Sequence, residues 1–399
     1  MDRSRPPVIV LGGDSNALSI ARSLGRDGIA VHGIGVPRFV TRSRYFASHI
    51  PVPAGEPEKT WADVLLGPAA EHLQGAVVLA AGDVGLTVLL DHRDELLQRY
   101  VLDISDVSAQ RALLDKLSTY ELARKAGVPT PKFWRLDTAA DLEVHTAEYV
   151  YPMIVKPLLS HLYQAMFPGL SKFRIVADEA ELRRHHAELT ERGLAVMLVE
   201  QIPGSDEQLC SYYTYLDESG SPCFDFTKRV IRRNPPGMGV GSHHATDWNP
   251  EVRDVSLRMF KHVGLRGLAN AEFIRDTRDG TLKLIECNAR FTAANPLVAA
   301  AGLDLAQFVY RRLIGDPITL PGTYRRGLHL LYPSNDFRAY RALAARGELS
   351  LVGWLRSLAA PQTFAYFAGD DPVPAAARAV YRSGVAVRRA RERILTRAG

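Results

Sequence analysis

Residues 282–290 read LKLIECNAR, a run that starts like core and ends with Glu286, Asn288 and Arg290 at every second position. Side chains alternate faces along a strand, so Leu282, Leu284, Glu286, Asn288 and Arg290 are expected on one face. Lys283, Ile285, Cys287 and Ala289 then take the other. The first face turns from apolar to polar midway, as in a strand that leaves a core to line a cleft. The preceding strand, LANAEFI, offers Asn270 and Glu272 on a single face, and RDTRDG between the two is a turn cluster. An antiparallel hairpin centred on Asp279 sets Glu272 opposite Glu286 and Asn270 opposite Asn288, with Cβ atoms roughly 4.5–5.5 Å apart. Two carboxylates that close repel unless one is protonated or a cation lies between them. Carboxylate and amide oxygens suit a hard ion such as Mg²⁺, which also favours phosphate oxygens. Arg290, one step on, can grip an anion in a bidentate manner. The alternative is a surface hairpin with solvated charges.

Working outward, the chain has 399 residues, enough for two or three domains. It is 46% apolar and 23% charged, ordinary for a soluble globular enzyme. The three cysteines form no CxxC pair, which suggests neither a disulfide framework nor a zinc knuckle. No apolar stretch approaches the roughly 20 residues of a membrane span, and the N-terminus does not read as a signal peptide. A reducing cytoplasm is the expected compartment. Residues 375–399 hold seven arginines and one acid, a net +6 against +5 for the whole chain. The remainder is therefore −1, and no nucleic-acid partner is expected for the body.

Strand-like PVIVLGG, IAVHGIG and GAVVLAAGD alternate with helical patterns over residues 1–110, which predicts a parallel α/β domain. A moderately amphipathic helix follows in LLDKLSTYELARKAGVPTP, stopped by Gly127 and two prolines. YPMIVKP and AVMLVEQIPG read as strands. In NPEVRDVSLRMFKHVG, Asn249 suits an N-cap, Pro250 the first turn and Gly264 the stop. The expected division is 1–110, 111–195, 196–320 and a mostly helical 321–399, where the pattern blurs.

The whole pattern resembles the ATP-grasp superfamily. NAEFIRDTRDGTLKLIECNAR is similar to its metal-binding hairpin, and DKLSTYELARKAGVPTP, YPMIVKP and VEQIPGSDEQ resemble its phosphate and adenine segments, in the same order over about 111–316. Within it, the chain looks most like the carboxylate–amine ligase branch that includes D-aspartate ligase. The resemblance implies an ATP-grasp fold of mixed α/β and α+β domains, with an N-terminal Rossmann-like domain and a helical C-terminal extension. It implies ATP with Mg²⁺ or Mn²⁺ as cofactor, and a small-molecule carboxylate and amine as substrates. Glu272, Glu286 and Asn288 would hold the metal. Lys116 and Lys156 would bind phosphate, Glu200, Gln201 and Ile202 adenine, and Glu207 ribose. Arg290 would hold the carboxylate and then the developing oxyanion, Arg290 and Lys156 being the catalytic pair. Each lysine alone reads equally as a snorkelling surface cation, and Glu207 as an exposed loop carboxylate.

The segment PLLSHLYQAMFPGLSKFRIV departs from the family's glycine-rich loop, so Lys172 and Ser171 are the expected phosphate contacts there. KRVIRRNPPGMGVGSHHATD reads as a basic strand carrying Lys228 and Arg232 over the phosphates, then a glycine loop in which Ser242 and His243 reach substrate. A solvated strand with a flexible loop is the other reading. LGGDSNALSIARSLG lacks the spaced glycines of a dinucleotide site, and no acid ends IAVHGIG. Gly13, Asp14, Ser15, Asn16 and Asp83 are instead expected to line a substrate pocket. Rival functions are another ATP-grasp chemistry, carboxylase-like or kinase-like, a non-catalytic ATP-binding protein, and an NAD oxidoreductase, which the glycine pattern disfavours. The arginine-rich tail fits a solvated helix packed on the body or a helix docked on an anionic membrane. Oligomeric state stays open, a homodimer included.

Overall fold

The computed structural model describes residues 5–53, 55–103, 106–158 and 173–398, with side chains through residue 385. Among them the strands assemble into three sheets.

The first sheet is parallel: β1 (Val8–Leu11), β2 (Val31–Ile34), β3 (Ser48–Ile50), β4 (Val77–Ala80) and β5 (Val101–Leu102), in the order β3-β2-β1-β4-β5. β1 and β4 are buried throughout, as unbroken apolar runs must be when both faces of a sheet are covered. Strand order reverses between these two, and ligands of doubly wound sheets enter the crevice at the carboxyl ends of such a pair. Gly13 sits there at φ +81, and a Cβ on it would come within 2.6 Å of Ala81 Cβ. Only glycine lets the two strand ends close on each other.

The second sheet is antiparallel: β6 (Phe133–Leu136), β7 (Met153–Pro157), β8 (Arg174–Val176) and β9 (Val196–Glu200), in the order β6-β9-β7-β8. Met153, Val155, Val196 and Leu198 face its own core. The opposite face turns Ile154, Met197 and Val199 toward Leu117 and Tyr120 of the Lys116–Lys125 helix.

The third sheet holds β10 (Leu209–Leu216), β11 (Phe226–Asn234), β12 (Val240–Asp247), β13 (Gly267–Arg275), β14 (Leu282–Asn288), β15 (His329–Leu331) and β16 (Gln362–Phe364). Its order is β14-β13-β10-β11-β12-β15-β16. The Pro250–Val263 helix packs on one face. Asn249 Oδ1 accepts the Val252 N–H at 3.2 Å, and Gly264 at φ +73 ends the helix. Its Val252, Met259 and Phe260 join Tyr212, Ala271, Phe273 and Leu284 in a core. The opposite face packs Tyr213, Tyr215 and Phe226 into a second core with Leu297, Val298 and Phe308, and carries the polar row described below.

β15 and β16 lie beyond residue 321, where no strand was expected. Each has three residues, too few for alternation to show in sequence. The C-terminal helix, Val373–Ala398, starts from an anchor: Asp371 accepts from Arg22 Nε at 2.9 Å and Ser43 Oγ at 2.7 Å, tying it to the first sheet.

Candidate active site

A straight row of polar residues crosses the third sheet. Lys228 on β11 pairs with Ser211 on β10, Ser211 with Glu272 on β13, and Glu272 with Glu286 on β14. The next row sets Asn270 opposite Asn288, whose Nδ2 donates to Asn270 Oδ1 at 3.0 Å. The amide oxygen of Asn288 is thereby left to ligate. Burial raises the Glu286 pKa above the ordinary 4.5, and the facing Glu272 raises it further, against a lowering by Arg290 and Lys116. An all-oxygen set of two half-buried carboxylates and an amide fits a hard divalent cation, which would remove the repulsion that lifts Glu286.

The facing pairs match the hairpin expectation, but the strand's phase does not. The register slips by one between Glu272 and Phe273, so Phe273 opposes Leu284 rather than Ile285. This β-bulge inserts one residue on β14. Leu282 and Leu284 therefore share the core side with Cys287 and Ala289, not with Glu286. Ile285 joins Ile202, Leu209, Val230 and Ile274 in a separate apolar patch. The bulge is what lets an apolar strand present a carboxylate to the cleft.

Cations surround the pair. Lys116 begins its helix and lines, with Glu286, Asn288 and Asp83, a solvent-open pocket. Tyr120, one turn on, donates its hydroxyl to the Ile285 carbonyl at 3.2 Å, which fixes that helix against the bulge. Lys156 Nζ lies 5.9 Å from the Tyr120 ring centre. Burial depresses its pKa, and Glu286 partly offsets this. Lys228 Nζ donates to Ser211 Oγ at 3.1 Å, and burial likewise lowers its pKa against the pull of Glu272. Buried lysines keep their charge at lower cost when an anion arrives. Lys172 lies outside the described residues.

At the hinge after β9, Glu200 is not the free acceptor expected. Its carboxylate takes the Lys132 N–H at 3.0 Å and pairs with Arg278 and, at 3.5 Å, Lys283. Asp276, fully buried, shares both cations. Glu200 thus braces the hairpin against the second sheet. Glu207 is exposed, while its neighbour Asp206 holds Arg233 at 2.7 Å.

The strand and loop after it need correction. Arg232 does not face phosphate: Asp336 clamps it through Nε at 2.8 Å and Nη2 at 2.9 Å. The expected glycine loop is largely strand β12, and Ser242 and His243 are fully buried. Ser242 Oγ donates to the Arg232 carbonyl at 3.2 Å. Arg232 Nη2 donates to His243 Nδ1 at 2.7 Å, which places the His243 proton on Nε2, facing His329 Nδ1 at 2.8 Å. These groups support the sheet rather than contact substrate. His244, expected beside His243 as a loop residue in reach of substrate, lies on the strand as well. It pairs with Val230, two positions from Lys228 and so on the same face. Its Nδ1 is buried without a hydrogen-bond partner among the described residues, and its ring meets Tyr332 at 6.4 Å. Alternation across β12 separates it from His243, but that signal is visible only once 240–247 is known to be a strand.

The N-terminal candidates converge on the same cleft. Asn16 Nδ2 donates to Ala81 O at 2.5 Å and Phe291 O at 3.2 Å, bridging β1, β4 and the end of the hairpin. Ser15 Oγ and Tyr332 Oη lie 2.9 Å apart. Asp83 Oδ1 accepts from Arg290 Nε at 2.6 Å. Gly13 and Asn16 are thus structural at the crossing, and Asp14 and Asp83 carry the charge.

A cleft between a small antiparallel sheet and a carboxylate hairpin on a larger one, faced by a parallel α/β domain, is the arrangement of the ATP-grasp fold, and the chain has that fold. Residues 245–320 match the family described as carbamoyl-phosphate synthase L chain, ATP binding domain. The chain is 24% identical to D-aspartate ligase of Enterococcus faecium (strain Aus0004) over 315 residues, 75% of each protein. It superposes on an L-amino acid ligase from Bacillus licheniformis with a TM-score of 0.60 at 19% identity, covering 82% of this chain and 79% of that one. An N5-carboxyaminoimidazole synthetase from Staphylococcus aureus complexed with ADP gives 0.60 at 15% identity, covering 80% of each.

Proposed function

We propose that the protein is an ATP-dependent carboxylate–amine ligase, forming an amide through an acyl phosphate and releasing ADP and phosphate. The observation that carries this is the Glu272–Glu286 pair, half-buried and face to face beside Asn288 in a cleft ringed by cations. The likeness to enzymes named D-aspartate ligase and L-amino acid ligase supports it. Mg²⁺, or Mn²⁺, held by Glu272, Glu286 and Asn288 would neutralise phosphate charge.

Lys116, Lys156 and Lys228 hold the remaining phosphate charge. The apolar patch of Ile202, Ile274 and Ile285 seats the base, and Glu207 reaches the ribose. A substrate carboxylate attacks the γ-phosphorus, and the bond from that phosphorus to the bridging oxygen of ADP breaks. Charge spreads over the transferring group, so positioned cations do most of the work. Arg290, steered by Asp83, holds the carboxylate and then the oxyanion formed when an amine attacks the carbonyl carbon. The C–N bond forms, the C–O bond to phosphate breaks, and the amine loses a proton. No side-chain nucleophile is required, and burial pushes the Cys210 thiol up to about 12, away from reactivity.

The substrates are small molecules under this proposal. No helix among the described residues is long and apolar enough to cross a membrane. The test is phosphate release from Mg·ATP across a matrix of carboxylic acids and amines, with mass spectrometry of products. An amide product that needs both substrates is expected. Bicarbonate-dependent turnover without an amine, or a stable phosphorylated product, would overturn the ligase assignment.

A further inference from the structure

The C-terminal helix lies beyond the family match, yet it reaches the crevice at the end of β1. Asp14 follows the Gly12–Gly13 turn, and its Oδ1 is buried without a hydrogen-bond partner among the described residues. Burial raises its pKa, while Tyr366, Arg378 and Arg382 act to lower it. The Arg378 guanidinium lies 4.0 Å from the Tyr366 ring centre. Arg382 Nη1 donates to Asn335 Oδ1 at 2.6 Å, and both Arg378 and Arg338 repel its charge. Among the described residues no carboxylate forms a salt bridge with Arg338, Arg378 or Arg382. Two arginines beside one carboxylate, with the exposed Arg338 adding to Arg382, leave a local excess of positive charge, a cost that an arriving anion relieves.

The location is chemically placed as well. Tyr332 hydrogen-bonds both Ser15 and, at 3.0 Å, the Ala293 carbonyl, while its ring meets Tyr366 at 5.9 Å. Arg378 is thus linked through Tyr366 and Tyr332 to the segment just past Arg290, the residue that holds the reacting carboxylate under the ligase proposal.

We propose that Arg378 and Arg382 form a specificity subsite for a second anionic group of a substrate, with Asp14 beside them receiving an N–H or O–H donor of the same molecule. The substrate class is thus one with an acid group additional to the carboxylate or amine that reacts. Carboxylate and phosphate share this chemistry. The inference rests on the ligase reading for which molecule enters, but not for the existence of the subsite.

The experiment is calorimetric binding of alanine, aspartate and O-phosphoserine, both enantiomers of each, to the full chain with and without Mg²⁺ and a non-hydrolysable ATP analogue. At least one acidic probe should bind roughly 10- to 100-fold tighter than alanine, as charge-assisted hydrogen bonds allow. Which acidic probe is preferred tells carboxylate from phosphate. Arg378→Gln should erase that ratio, Arg378→Lys should keep part of it, and nucleotide affinity should stay within about twofold of the parent, well under the tenfold that 1.4 kcal/mol represents. A purely structural role for Arg378 would not alter the ratio selectively. No acidic preference, or a preference that survives Arg378→Gln, overturns the subsite. Failure of the nucleotide analogue to bind would instead sink the ligase reading, while the acidic-to-alanine ratio still reports on the subsite.

Discussion

Asp83 and Arg290 stand 207 positions apart in the chain and meet through an Oδ1–Nε contact of 2.6 Å. One comes from the carboxyl end of β4, the other from just past the carboxylate hairpin. Their pairing sets the direction of the guanidinium that faces the cleft. Asp83 is 61% exposed, so solvent screens the pair and its contribution to stability is under about 1 kcal/mol. Asp83→Asn should thus leave the melting temperature nearly unchanged. It should lower kcat roughly 10-fold or more through misaimed Arg290, with the KM for ATP held. Steady-state kinetics beside a thermal melt would check both.

Replacing Glu286 should move stability and activity in opposite directions. Glu286→Gln removes half of a half-buried like-charge pair, so the metal-free protein should gain stability, by about 1 kcal/mol. Turnover should fall roughly 100-fold or more, the scale for losing a principal electrostatic group. Stabilisation by Mg·ADP, read in a thermal shift, should largely vanish.

Asp336 holds Arg232 in a bidentate pair with both side chains almost wholly buried. Trp354 Nε1 also donates to it, at 2.8 Å. Asp336→Asn would leave a buried guanidinium without its counter-charge, a loss of about 3–5 kcal/mol. Urea titration should show it. At low temperature the folded fraction should keep its ATP affinity, because neither residue faces the cleft.

His243 gives a pH dependence of definite sign. Burial first, and then the Arg232 charge, lower its pKa to about 3. The unfolded chain binds a proton near 6.5 that the folded chain refuses. Its stabilising contribution is complete above pH 6.5 and is lost as pH falls toward 3, with a slope approaching 1.4 kcal/mol per unit. His243→Gln should flatten the stability curve between pH 6 and 4, measured by chemical denaturation.

The hairpin was legible from its turn cluster and two alternating runs, but Glu272 faces Glu286 and Asn270 faces Asn288 only because the bulge adds one residue to β14 between the turn and these pairs. The Pro250–Val263 helix was legible because its cap, proline and stop glycine are local signals. The bulge at Ile285 was not, since one inserted residue leaves no mark in composition. The fates of Arg232 and His243 depended on Asp336, about a hundred residues away, and a basic strand looks the same whether its partner is phosphate or a buried aspartate. Glycines at 237, 239 and 241 suggested a mobile loop, whereas Gly241 sits where a Cβ would come within 2.1 Å of the His244 ring. Close packing, not flexibility, requires that glycine.

The most direct test of the account is a crystal structure with ADP and Mn²⁺, using anomalous scattering to locate the metal. The account predicts a peak at bonding distance from the Glu272 and Glu286 carboxylates and the Asn288 amide oxygen, with the nucleotide phosphates on its far side. Bound nucleotide with manganese remote from both glutamates would contradict it.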